Sequence, residues 1–240
     1  MSEVRIEALN QIAAEVRTCT LCDLHKTRTR AVPGAGNYHT EIMFIGEGPG
    51  FNEDKQGLPF VGRSGDFLEK MFKLIGLSRD QVFITNVVKC RPPDNRDPLP
   101  FEIDTCKPYL DQQINLIDPL MVVTLGRFSM ARYFPGGKIT QIHGQAKLEN
   151  GRAYYPLFHP AAILRNPAQQ PLMEADFQRI PEILAQVRAL RSQGAPPPPS
   201  AGDDAPPQYT PPKTSPEDVA VSKPEDAPNS DTPPTQLTLF

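Results

Sequence analysis

Glu41-Ile42-Met43-Phe44-Ile45-Gly46 runs straight into Glu47-Gly48-Pro49-Gly50. Four apolar residues in a row, stopped by glycine, read as a strand buried on both faces, because a half-exposed strand alternates apolar with polar. The Gly/Pro-rich stretch from 47 to 63 then predicts a long loop. Val82-Phe83-Ile84-Thr85 and Leu120-Met121-Val122-Val123-Thr124-Leu125 repeat the strand pattern, the second again ending at a glycine, Gly126. Helical spacing fills the intervals. Residues 3–17 carry Ile6, Leu9, Ile12, Ala13 and Val16 on one face. Ser64 is placed to cap a helix bearing Phe67, Leu68, Met71, Phe72 and Ile75, with Gly76 as its stop. A loop with four prolines spans 91–100, and a helix carrying Cys106 follows over 101–117. A short helix (127–134), a β segment (145–157), a loop opened by His159-Pro160 and a closing helix (171–191) complete the body. This alternation predicts an α/β fold, a three-layer α/β/α sandwich around a central, mainly parallel sheet. Ligands of such sheets bind beyond the carboxyl ends of the strands. Residues 46–63, 86–98 and 159–165 all fall there.

The chain has 240 residues and a formal net charge of −3, but the average hides two parts. The last 48 residues hold seven acidic and two basic side chains and 13 of the 28 prolines. The 192 before them hold 23 basic and 21 acidic side chains, a slightly basic body. A segment so polar and Pro-rich buries too little apolar surface to offset its ordering entropy, so 193–235 reads as a disordered acidic linker. No apolar run approaches the ~18 residues of a membrane span. The amphipathic N-terminus is not a signal peptide. These features imply a cytoplasmic protein, whose thiols stay reduced.

Four cysteines occur, as Cys19-x-x-Cys22 and as Cys90 with Cys106. Four soft thiolates from two distant segments suit a tetrahedral sulfur site, either zinc or an iron–sulfur cluster, over a disulfide framework. Ligand type alone leaves the two metals open.

Together the motifs resemble the family 4 uracil-DNA glycosylases, the type carrying a [4Fe–4S] cluster. The resemblance covers about residues 8–190. It rests on the Cys pair, Gly46-Glu47-Gly48-Pro49-Gly50, Gly57-Leu58-Pro59-Phe60-Val61-Gly62, Thr85-Asn86-Val87-Val88-Lys89-Cys90-Arg91-Pro92, Cys106 and His159-Pro160-Ala161. It implies a uracil-DNA glycosylase-like fold acting as a monomer on uracil-containing DNA, with Cys19, Cys22, Cys90 and Cys106 holding the cluster in preference to zinc. Excising uracil requires an extruded nucleotide, a rigid grip on the base, and stabilisation of the departing anion. Phe60, between glycines that let backbone approach a ligand, is the expected stacking surface, with Gly46 beside the base. The Asn86 amide carries the donor and acceptor that match uracil O4 and N3–H. His159, aimed by Pro160, is placed to donate to the leaving base. Glu47 is the carboxylate expected to position substrate or water. Ala162-Ile163-Leu164-Arg165 offers an apolar wedge, Ile163 and Leu164, with Arg165 on a phosphate; helix packing of Ile163 and Leu164 is the equal alternative. Arg91, with Lys89, Arg96 and Arg63 in the same loops, adds possible phosphate contacts.

Relatives that capture uracil-DNA covalently, without turnover, use a histidine in an inserted basic loop. Here Cys90 runs into Arg91-Pro92-Pro93-Asp94-Asn95-Arg96 with neither insertion nor histidine. Gln236-Leu237-Thr238-Leu239-Phe240 is similar to the peptide that docks bacterial proteins on the β sliding clamp. Leu237, Leu239 and Phe240 supply its apolar side and Gln236 its polar edge. The expected organisation is a glycosylase domain over 1–192, the linker over 193–235 and a clamp-binding motif over 236–240.

Overall fold

The computed structural model describes residues 1–194; all but the first two residues of the linker expected over 193–235, and the motif expected over 236–240, lie outside the described residues. A six-stranded sheet has the order β1-β3-β2-β4-β6-β5. Its strands are β1 (Ala35–Gly36), β2 (Ile42–Gly46), β3 (Phe83–Asn86), β4 (Met121–Leu125), β5 (Lys147–Glu149) and β6 (Arg152–Leu157). The central four run parallel, and the short edge strands β1 and β5 pair antiparallel. The expected β segment at 145–157 is thus a hairpin turning at Asn150-Gly151, both with positive φ.

Alternation along the buried strands divides the core into two layers. Ile42 and Phe44 of β2, with Met121, Val123 and Leu125 of β4, face one side. There they meet Phe67, Leu68, Met71 and Phe72 of α3 (Arg63–Leu74), Phe177 of α8 (Gln170–Gln178), and Ile183 and Val187 of α9 (Ile180–Ser192). Met43, Ile45 and Val122 face the other side, against Leu9, Ile12 and Val16 of α1 (Glu3–Thr18) and Leu110, Ile114 and Ile117 of α4 (Pro100–Ile117). Helices on both faces explain why β2 and β4 show no polar alternation, and they make the fold the expected three-layer sandwich.

Four local expectations need correction. The 47–63 stretch contains a helix, α2 (Phe51–Gln56), ended by Gly57 at φ 73°. Ser64 is not the cap of α3; Gly62 holds that position, and its N–H is taken by the Glu53 carboxylate. His159-Pro160 opens a helix, α7 (Pro160–Arg165), because proline at the first helical position has no N–H to leave unpaired. The closing helix is two, broken at Arg179, since Pro181 cannot donate to the preceding turn. The short helices α5 (Arg127–Ala131) and α6 (Ile139–Ile142) occupy the connection from β4 to the hairpin.

Candidate active site

All four parallel strands end on one side, and each carries a chemically distinctive residue past its carboxyl end. Gly46 closes β2 and stands in register with Asn86, which closes β3. Gly126 follows β4, and His159 lies two residues beyond β6. Backbone bonds from Val87 N–H to Gly46 C=O (3.0 Å) and from Val88 N–H to Glu47 C=O (3.0 Å) carry the pairing of β2 and β3 into their loops. The result is a cleft of about 620 Å3, lined among others by Glu47, Phe60, Asn86, Arg127, His159 and Arg165.

Phe60 is held against its preference. Its φ is 51°, a left-handed conformation costing a non-glycine residue about 1–2 kcal/mol. Three clamps hold it there. Arg79 donates to the carbonyls of Phe60 (2.8 Å) and Pro59. One Glu53 oxygen accepts from Val61 N–H (2.9 Å) and Gly62 N–H (3.0 Å). Gly65 lies so close to the Phe60 carbonyl that no side chain would fit. Phe60 belongs to the core, yet its ring lines the cleft beside the imidazole of His159, with centroids 5.7 Å apart.

Asn86 is buried, and among the described residues its Oδ1 has no hydrogen-bond partner. An unpaired buried acceptor costs about 1–3 kcal/mol, so a site that keeps one is shaped for a donor from outside. Gly46 makes room beside it: a Cβ there would fall 2.8 Å from two carbons of the Phe60 ring and closer still to Asn86 Oδ1. Beneath the amide, Lys89 Nζ donates to Asn86 C=O (2.9 Å), Thr85 Oγ1 (2.6 Å) and Gln113 Oε1 (2.8 Å).

His159 caps α7, and its Nδ1 accepts from Ala161 N–H at 3.1 Å. Nδ1 is therefore the bare nitrogen, and the ring proton sits on Nε2. Burial, assisted by the Arg165 charge, lowers its pKa to about 4, so the imidazole is neutral near pH 7. Glu47 is half-buried, and its pKa moves up through burial and the Asp97 charge, against the pull of Arg127 and Arg165. Asp97 and Arg127, an ion pair with both side chains 63% exposed, also line the cleft.

The DNA-contact expectations divide. Ile163 is 1% exposed and packs in the core, so it cannot be a wedge; Leu164 is half-buried against the same core, and Arg165 is exposed at the cleft. Helix α7 turns its apolar face into the core layer that holds α3. Lys89 is 1% exposed and unavailable to phosphate, and Arg96 is bound by both oxygens of Glu102. Arg63 is exposed at the cleft, and Arg91 donates to Asn95 Oδ1 at 2.7 Å. The parts not foreseen from sequence are Glu53, Arg79, Asp97 and Arg127. An acidic residue three places after Gly50 was the one visible hint, for Glu53.

Cys19, Cys22, Cys90 and Cys106 line one separate cavity between α1 and α4. Arg28 Nη1 donates to Cys90 Sγ (2.8 Å) and Lys89 N–H to Cys106 Sγ (3.3 Å). Burial raises the Cys22 thiol to about 11 and Cys106 to about 12. Among the described residues, no three His, Cys, Asp or Glu side chains stand close enough to hold a single metal ion.

Residues 33–185 match the family model described as the uracil DNA glycosylase superfamily. The chain is 48% identical over 188 residues to a type-4 uracil-DNA glycosylase of Sulfurisphaera tokodaii, covering 74% of this chain and 86% of the relative. It is 46% identical to one of Saccharolobus solfataricus (75% and 88% covered) and 43% to one of Archaeoglobus fulgidus (74% and 94% covered). The chain therefore belongs to the uracil DNA glycosylase superfamily, in its type-4 group.

Proposed function

We propose that this cleft excises uracil from DNA, hydrolysing the bond between the base and its sugar to start base-excision repair. One observation carries the reading of the site: a buried acceptor without a partner, Asn86 Oδ1, crowded between the Phe60 ring and the Cβ-free Gly46. Uracil answers it with N3–H, and the Asn86 amide NH2 can donate to O4. Cytosine offers the opposite polarity at both atoms and leaves the same buried groups unpaired.

The base lies against Phe60. As the glycosidic bond breaks, its electron pair passes to the uracil ring, and the neutral His159 donates through Nε2–H to the oxygen where that charge collects. A neutral imidazole donor suits an anion that leaves unprotonated. Glu47 orients the water whose oxygen joins the sugar carbon, the proton that water loses passes through solvent to the departed uracil anion, and the carboxylate stabilises the positive charge that develops on the sugar. Arg165 and Arg63 take backbone phosphates. Turnover, as opposed to capture, agrees with the absence of a histidine from 90–96.

The four cysteines hold an iron–sulfur cluster in this reading. Zinc needs all four sulfurs about 2.3 Å from one point, whereas a four-iron cluster lets its ligands stand apart around a larger body. Four thiols on one cavity, with N–H groups on two sulfurs, fit the second description. The cluster would cross-link α1, α4 and the loop following Asn86; hydrolysis moves no electrons and no step needs it. Iron and acid-labile sulfide near four each per chain test this, and zinc in their place refutes it. Gln236–Phe240 would dock the enzyme on the β sliding clamp, with the linker raising its local concentration at DNA. Deleting 236–240 should abolish clamp binding and spare excision from short oligonucleotides; loss of excision refutes a pure docking role.

The direct test measures free uracil released from a uracil-containing oligonucleotide. Asn86→Ala and His159→Ala should each lower single-turnover release about 100- to 1,000-fold, the ~2.7–4 kcal/mol of a lost anion-stabilising donor. An undiminished rate removes that residue from the site.

A further inference from the structure

The burial of Ile163 leaves the DNA duplex without the side chain expected to support it, and another residue on the cleft has the right character. Phe51, the first residue of α2, lines the cleft but belongs to neither core layer and is 51% exposed. Leu99 and Phe101 are as exposed, but neither lines the cleft. Phe51 is flanked by cations: Lys55 Nζ stands 4.3 Å from its ring centroid and the Arg91 guanidinium carbon 5.3 Å. The Arg91 head is itself fixed by Asn95.

We infer that Phe51 is a stacking platform for the nucleobase next to the flipped uracil, with Lys55 and Arg91 taking the phosphates on either side of it. Exposing half a phenylalanine gains the fold nothing, since the ring stays in water. A wet aromatic face beside two cations, on the wall of a cleft that admits a nucleotide, matches what single-stranded nucleic acid binds: one π surface per base and positive charge along the backbone. Lys55 loses little by leaving the ring, because a phosphate is a stronger partner for it than the ring quadrupole, and Arg91, held through Nε by Asn95, can offer its Nη groups to a phosphate from where it stands. The ring lies on the segment after β2, whereas the expected wedge lay on α7, after β6. The inference rests on the uracil-excision reading of the cleft.

The test is a double-mutant cycle between Phe51 and the flanking base, read as uracil release from single-stranded oligonucleotides. In one substrate the neighbour of uracil is a normal nucleotide; in the others the 5′ or the 3′ neighbour is a base-free sugar. Removing the flanking base on one side should raise KM for the wild type about tenfold, ~1.4 kcal/mol. It should raise KM for Phe51→Ala far less, because that variant has already lost the contact. Phe51→Trp should restore wild-type KM, and Phe51→Leu, apolar but unable to stack, should not. Losses that simply add, or full rescue by leucine, overturn the inference while uracil excision stands. No release by the wild type sinks both.

Discussion

Replacing Gly46 with alanine tests the pocket at its tightest point. The new methyl would begin 2.8 Å from two Phe60 ring carbons, and closer to Asn86 Oδ1. Ordinary carbon contacts lie near 3.5–4.0 Å, so the ring must retreat by about 0.7 Å and the amide by more. Neither can do so freely. Phe60 is fixed through Arg79 and Glu53, and Asn86 sits in the sheet with its carbonyl tied to Lys89. Gly46 has no left-handed φ, so the substitution strains no backbone and the effect is steric. A misplacement of about 1 Å in a preorganised site costs about 100-fold in rate, or ~2.7 kcal/mol. Overpacking costs a further ~1–3 kcal/mol of stability. Single-turnover uracil release, with thermal unfolding of the same preparation, separates the two effects. The expected result is a folded protein, lowered in Tm by a few degrees, whose chemical step is about 100-fold slower. A folded Gly46→Ala protein within threefold of wild type would show that Phe60 and Asn86 do not jointly grip the base.

Asp97→Asn should move the acid limb of the pH–rate profile to lower pH: Asp97 raises the Glu47 pKa, and removing its charge lets the carboxylate persist in more acid solution. His159, neutral down to about pH 4, should leave no inflection near 6.5, and a limb there in both proteins would assign the titration to the imidazole after all. Lys89→Met removes the buried donor shared by Thr85 Oγ1, Asn86 C=O and Gln113 Oε1, of which Thr85 Oγ1 still pairs with Pro33 C=O and Gln113 Oε1, and should destabilise the fold by about 1–3 kcal/mol; an unchanged denaturation midpoint would contradict this. Arg28→Ala removes the N–H donor to Cys90 Sγ, so the proposed cluster should lose iron faster to a chelator, followed by visible absorbance, and equal loss rates would deny that bond a role.

The strands were readable because their signal is local. Ile42–Ile45 and Met121–Leu125 are too apolar to lie anywhere but between two helical layers. Helix α2 was not readable, because glycines and prolines on both sides of 51–56 mask one short turn of helix. The break at Arg179 was available in Pro181 and outweighed by apolar spacing on either side of it. Ile163 and Lys89 show the deeper limit. An apolar residue after His159 and a lysine before a cysteine have the same local pattern whether they meet DNA or the core. Only the packing of α7 against α3 in the core and the presence of Gln113 from α4 decide against DNA.

The order of residues alone pointed to a two-faced α/β sheet and to a set of loop residues suited to uracil, since each of those signals is complete within a few neighbouring positions. Tertiary structure decided which of them meet: Phe60, Asn86 and His159 share a pocket, with Gly46 against Phe60 and Asn86, because four parallel strands end together. It also left Asn86 Oδ1 without a partner, strained Phe60 into a left-handed turn, and turned Phe51 outward. Those outcomes depend on contacts between residues far apart in the chain, whose energies no short stretch of sequence contains.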